Sequence, residues 1–457
     1  MTKLALFVAI LAPLQLACGG KTTFVDGVLA LPDGEALLFV VDGKHDAAGS
    51  VLLAGRDGPK WVQPDADTRR FASHAFEAPS AAADAARVYT LATGGEVPTH
   101  VRARDRKTGA EQWLLELPQG MPQRQEERLL RPLVVAGDTL FVSLQTRSPN
   151  DEAQALVVAV DVATGKQRWR VARPSPVLGE AFVADKVVIV SIEDGWLWLD
   201  KATGAVLKTE ALTGIGCRFG DVVVGMLRGS LAALSFDPTV AARPIGPQRD
   251  DGKFSALDDI RECTPHGKDL VIYRFPSVIA VDPRAATIVW ETRLRAKNGL
   301  GLAMRNTGEV EVVQVVAAVA DKHEGGTWSS FDLASGKLEA HHDGPFGAVQ
   351  LGGVSLLIDV LRLGTDMPER SHMVVFDRAG KPTVGLSLAQ SALTKLGSWN
   401  EAGGLLWLVR SGPFATPADA AWAALDLASG KLVSEQGSHQ VELLDTAARD
   451  VWLATTR

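Results

Sequence analysis

The sequence predicts an all-β chain folded as a single β-propeller, and three observations carry that reading. One phrase recurs along nearly the whole chain, short alternating runs precede each copy, and the phrase itself has the chemistry of a hairpin corner. Copies end on Asp105, Asp161, Asp200, Asp282, Asp332, Asp377 and Asp426, and a degenerate one, Leu231-Ala-Ala-Leu-Ser-Phe-Asp237, stands between the third and fourth. The steps between these aspartates run from 37 to 56 residues. A period in the forties is that of propeller blades or helical arrays, and the local pattern chooses between them.

The local pattern is β. Runs such as Thr139–Leu144, Val187–Val190 and Leu270–Tyr273 alternate or cluster apolar and β-branched residues over strand lengths. An Asp closing such a strand can accept hydrogen bonds from the next backbone N–H groups. Gly109, Gly165, Gly204, Gly336 and Gly430, and Gly380 in the copy at Asp377, supply the positive φ such a turn needs. Trp113, Trp169 and Trp290 follow their aspartates by eight residues, on the returning strand, where a flat ring can cover the next blade.

Eight aspartate phrases give eight four-stranded blades, with seven or nine as the alternatives. The ninth candidate phrase is Val41-Asp-Gly-Lys-His-Asp46-Ala-Ala-Gly49. The runs at 441–444 and 451–455 are expected to complete a blade begun at the N-terminus, closing the ring and removing free sheet edges.

Residues 1–17 read as an export signal: Lys3, then an apolar run from Leu4 to Leu16. Thirteen helical residues cover ~20 Å, short of the ~30 Å of a bilayer core. The run ends Leu14-Gln-Leu-Ala-Cys18-Gly-Gly20, which resembles the lipobox of bacterial lipoproteins, with Gln15 departing from the usual Leu. That resemblance implies cleavage before Cys18 and lipidation of its thiol, the alternative being an ordinary secretory signal. Residues 18–35 are then a linker, and 36–457 the propeller.

Lys and Arg number 47 against 54 Asp and Glu, for a net charge of −7, which argues against a nucleic-acid-binding face. Three cysteines exclude a disulfide-dense scaffold. His341-His342 is the one paired imidazole, with no further ligand pattern beside it. Asp250-Asp251 and Asp258-Asp259 fall in a solvated insertion.

Asp-x-x-Thr/Ser-Gly-x-x-x-Trp after an alternating strand resembles the repeat of the quinoprotein-dehydrogenase-like (PQQ-repeat) β-propellers, over about residues 85 to 440. In the enzymes of that family the resemblance would imply pyrroloquinoline quinone and calcium on the axis, with a vicinal Cys-Cys pair against the quinone. No adjacent cysteines occur here, so no cofactor, metal or catalytic residue is assigned. An exported propeller of this class without cofactor residues is similar to the outer-membrane β-barrel assembly lipoproteins. That implies a non-enzymatic, lipid-anchored envelope scaffold, a monomer within a larger complex that meets envelope proteins through its loops and faces the periplasm. A quinone-dependent oxidoreductase and a glycan-binding lipoprotein are the alternatives; for the latter the long loops offer little beyond Phe414.

With strands lettered A to D outward, the B–C loops are expected to be tight at 193–195, 227–229 and 275–277. They are long at 145–154, 321–327, 362–372 and 410–420, and fairly long at 93–100. The long set forms one arc, a raised crescent with Arg147, Asp151, Lys322, His323, Glu324, Arg362, Asp366, Glu369 and Arg370 as candidate partner contacts. Cys217 and Cys263 each precede an A–B turn in consecutive blades, near the axis where innermost strands converge. A disulfide between them is one reading, two buried core thiols the other.

Overall fold

Runs such as Val187–Ile192 and Val222–Leu227 become the second strands of their sheets, and all but Leu227 of these residues are buried. Burial on both faces follows from sheets stacked face to face, so these strands lack the polar alternation of a half-exposed strand. The computed structural model describes the backbone of strands between residues 22 and 444. Side chains are described mainly over 81–293, together with 332, 334–337, 405 and 426. Residues 1–21, 31–35, 44–50, 60–80, 93–98, 119–131, 148–151, 247–259, 294–299, 316–325, 360–369, 377–381, 390–395, 411–420, 427–430, 437–440 and 445–457, with some shorter gaps, lie outside the described residues.

The chain is all-β, a propeller of antiparallel sheets, each threaded A-B-C-D in sequence order. Nine sheets are present among the described residues, spanning 22–59, 81–116, 133–173, 177–210, 213–245, 262–293, 300–344, 346–389 and 396–436. They are called the first to ninth below. The A strands of successive sheets meet from the first to the eighth, which makes A the innermost strand. The A strand of the first sheet, Thr22–Ala30, also lies against that of the ninth, Leu396–Ala402.

Three expectations change. Thr22–Ala30, read as linker, is a strand paired with Ala36–Gly43. The phrase from Val41 to Gly49 begins at the end of the second strand of the first sheet, Ala36–Gly43, and its remainder lies outside the described residues; the C–D turn of that sheet lies instead between Gly55 and Gly58. Val441–Leu444 does not join the N-terminal sheet; it pairs with Pro382–Ala389 as a fifth strand of the eighth. The run at 451–455 lies outside the described residues.

The core is a succession of seams. Trp113, Val101 and Leu140 pack between the second and third sheets, and Phe141, Trp169 and Val188 between the third and fourth. Phe182, Trp196 and Leu234 fill the next seam, and Val224, Ile245 and Ile272 the one after. Each fully buried side chain of this size contributes about 1.5–3 kcal/mol.

At the corners, Asp161 Oδ1 accepts from Ala163 N (3.1 Å), Thr164 N (2.9 Å) and Thr164 Oγ1 (2.9 Å). The Gly165 amide closes the turn on the Asp161 carbonyl at 2.9 Å. Asp105 and Asp200 repeat this with Thr108 and Thr203, and Asp332 with Ser335. Trp113 and Trp169 then dock on the next sheet, their Nε1 atoms donating at 2.9 Å to the Val162 and Lys201 carbonyls, one residue past the next corner aspartate. The corner glycine lies against the docked ring: a Cβ on Gly165 would meet Trp113 at 2.6 Å, and one on Gly204 would meet Trp169 at 2.7 Å. Trp290 stands in the same way over Gly336.

The fifth sheet departs from this pattern. Ser235 closes its C strand opposite Val222, as Asp161 closes its own opposite Thr139. The corner position is therefore Ser235, and Asp237, read as the degenerate copy, lies two residues into the turn, where it binds Thr239 N and Oγ1 at 2.9 and 2.7 Å.

Candidate functional site

Antiparallel threading sends the B–C and sheet-to-sheet connections to one face and the A–B turns and C–D corners to the other. The B–C connections are 44–50, 93–99 and 148–152 in the first three sheets. They shrink to 193–194, 228–229 and 275–276 in the fourth to sixth, and lengthen to 316–325, 360–369 and 411–420 in the last three. Length is sorted by position, so the face has a low arc over the fourth, fifth and sixth sheets.

The low arc is pinned by hydrogen bonds. The Glu193 amide donates to the Pro176 carbonyl at 3.0 Å and the Asp194 amide to Ser175 Oγ at 3.2 Å, tying the turn to the preceding connection. Ser191 Oγ donates to the Gly214 carbonyl of the fifth sheet at 2.7 Å, and Arg274 Nη2 of the sixth to the Gly229 carbonyl at 2.7 Å. Bonds thus hold the turns at 193–194 and 228–229, and among the described residues of the three turns the Glu193 and Asp194 side chains stand exposed.

Of the candidate contacts, Arg147 ends the strand Thr139–Arg147 opposite Ala153, and Arg370 begins the strand Arg370–Phe376 opposite Ala389. Both therefore flank long connections. Asp151, Lys322, His323, Glu324, Arg362, Asp366 and Glu369 lie outside the described residues, as do Cys18, Phe414, Asp377, Gly380 and Gly430.

On the opposite face, the corner carboxylates among the described residues are engaged locally. Arg168 Nη2 joins Asp161 at 2.7 Å and Asp138 at 2.8 Å, and the Arg168 and Thr164 hydrogen bonds hold the Asp161 carboxyl down to about 2. Thr108 lowers Asp105, Thr203 lowers Asp200, and Ser335 lowers Asp332, in each case by hydrogen bonds to the charged form. These carboxylates are committed to their own turns.

Arg102 and Arg104 were not singled out from the sequence, yet each is only 1% exposed. The alternation Val101-Arg-Ala-Arg reads as a strand with one wet face, but Val101 and Ala103 face the third sheet and the arginine side is covered as well. Arg102 Nε lies 3.3 Å from Glu111 Oε2, and Arg104 Nη1 donates to the Gly109 carbonyl at 3.4 Å. His341 and His342 occupy successive positions of the strand Leu338–Gly344. Among the described residues no three His, Cys, Asp or Glu side chains gather as metal ligands. No described helix is long and apolar enough to cross a membrane. Cys217 of the fifth sheet is bonded to Cys263 of the sixth, their Cα atoms 6.2 Å apart.

A family model described as outer membrane protein assembly factor BamB matches residues 72–217. No curated protein matches the chain. Among solved structures, BamB from Moraxella catarrhalis is 16% identical, covering 72% of this chain and 92% of its own, with a TM-score of 0.45. A europium-containing methanol dehydrogenase is 12% identical, covering 79% and 78%, with a TM-score of 0.45. A eukaryotic initiation factor is 11% identical, covering 86% and 95%, with a TM-score of 0.51. The chain is a β-propeller that over residues 72–217 resembles the PQQ-repeat family described as outer membrane protein assembly factor BamB.

Proposed function

We propose that this chain is a non-enzymatic scaffold of the bacterial envelope, anchored to the outer membrane through a lipid on Cys18 and facing the periplasm. In this reading its long B–C connections engage envelope proteins during outer-membrane protein assembly, with the chain a monomer within the larger complex. The observation that carries the reading is the sorting of connection length by position: short connections over three consecutive sheets, flanked by longer ones. Free drift of loop length would scatter short and long turns around the ring. Recognition by mixed charges such as Arg147, Asp151, Lys322 and Glu324 governs orientation and association rate more than raw affinity.

Two further facts support the proposal. The family matched over 72–217 is described as an assembly factor, and the three cysteines, at 18, 217 and 263, include no adjacent pair of the kind the quinone enzymes use. The test is affinity purification of the lipidated protein from crosslinked envelopes. Envelope proteins should co-purify in fixed ratio. Recovery of the chain alone, or an oxidoreductase activity restored by quinone and calcium, would overturn the reading.

A further inference from the structure

Where a tryptophan docks, the next sheet presents a bare glycine. At the seam between the fifth and sixth sheets both halves of that device are replaced. The corner position of the sixth sheet, four residues past Asp282, is Ala286. It has φ 56°, and no other non-glycine among the described residues has a positive φ. Its Cβ stands where a Cβ on Gly165 or Gly204 would collide with the docked ring. On the fifth sheet the docking register is filled by Arg243, opposite Ala233 as Trp169 is opposite Ala159. Arg243 Nη2 donates to the Pro283 carbonyl, the equivalent acceptor one residue past Asp282, at 3.4 Å instead of the 2.9 Å of the two indoles. A long bond from a solvent-facing guanidinium replaces a buried ring.

The seam before it has also lost its dock but keeps aromatic filling. Lys208 holds the tryptophan register opposite Trp198 and donates to the Val240 carbonyl at 2.9 Å. Trp196 stacks on Phe182 with centroids 6.0 Å apart and fills the space left by Gly216 and Gly225, while Trp198 Nε1 donates to the Ser235 carbonyl at 2.8 Å. The described core of the fifth–sixth seam contains no tryptophan: it is aliphatic, with Phe219 beside it. This is the seam that Cys217 and Cys263 bridge.

We infer that the disulfide takes the place of the missing tryptophan dock, so that this seam reaches full closure only where a protein disulfide donor is present. The half-buried Cys263 thiolate attacks the donor's disulfide, forming a mixed disulfide and releasing one donor thiol. The Cys217 thiolate, 3% exposed, then attacks the Cys263 sulfur and expels the second. The pair loses two protons and two electrons, and the donor leaves as a dithiol.

The test is hydrogen exchange on the full chain, with and without a thiol reductant. Unfolded, unreduced protein should show neither thiol of the pair reactive. Reduction should speed exchange in 213–227 and 262–274 by roughly tenfold and leave the docked strands at 153–173 unchanged. The double variant C217S/C263S should match the reduced protein and ignore reductant, and adding R243W and A286G to it should restore protection at the seam. Two reactive thiols, an equal rise around the ring, or no change on reduction would overturn the inference. So would a folded R243W/A286G chain without restored protection. If C217S/C263S does not fold, the wild-type comparison decides alone.

Discussion

The Trp169 ring lies over Gly204 of the next sheet so closely that a methyl group there would sit 2.7 Å from it, while its Nε1 reaches the Lys201 carbonyl at 2.9 Å. One side chain thus fixes both the spacing and the rotation of two sheets. The glycine answers two demands at once, since its φ of +74° already disfavours any side chain.

Gly204→Ala should therefore destabilise the chain by about 1–3 kcal/mol through overpacking and backbone strain. Trp169→Ala should cost about 3–5 kcal/mol. The two share one contact, so their costs should not add: the double variant should fall short of the sum by about 0.5–3 kcal/mol. Denaturant midpoints of the four proteins measure the cycle, and strict additivity would mean that the ring and the glycine act independently.

Asp161 gives a pH signature. Its carboxyl is held at about 2 by Arg168 and Thr164, below its ordinary 3.8. A depressed carboxylate contributes stability that is fully present above the unfolded value and is lost as pH falls through the folded one. The melting temperature of the wild type should therefore fall more steeply between pH 4 and about 2 than that of Asp161→Asn. Parallel curves would show that the corner carboxylate is not coupled to folding.

Cys18→Ala should block lipidation and processing, so that an uncleaved, unlipidated precursor accumulates and the outer-membrane fraction loses the protein, read by fractionation and intact mass. A variant that stays membrane-bound and is processed normally would remove the lipid anchor from the account.

The parts legible in the sequence are those that local chemistry writes. Asp, Thr and Gly at Asp161, Thr164 and Gly165 close a turn within five residues, and Trp169 follows on the strand that turn creates, so a repeat could be read without any long-range contact. The misreadings arise where position depends on a distant partner. Asp237 copies the corner's chemistry, but the pairing of Val222 with Ser235 sets the register two residues earlier. Val441–Leu444 is an ordinary apolar strand, and nothing local says that it pairs with Pro382–Ala389. Arg102 and Arg104 look solvent-facing because alternation records only that two faces differ, and here the polar face is buried as well. Of the face that carries the B–C connections, the sequence shows which connections are long, because strand ends are written locally.

The central claim is that partners are held by the long connections, and a loop graft tests it most directly. Replacing 148–151 and 316–325 with tight glycine-containing turns like 193–195 should abolish capture of envelope proteins from crosslinked membranes. The same graft should leave the melting temperature within a few degrees of wild type, because the sheets and seams beneath are untouched. Undiminished capture by a folded grafted protein would place the binding surface elsewhere and contradict the account.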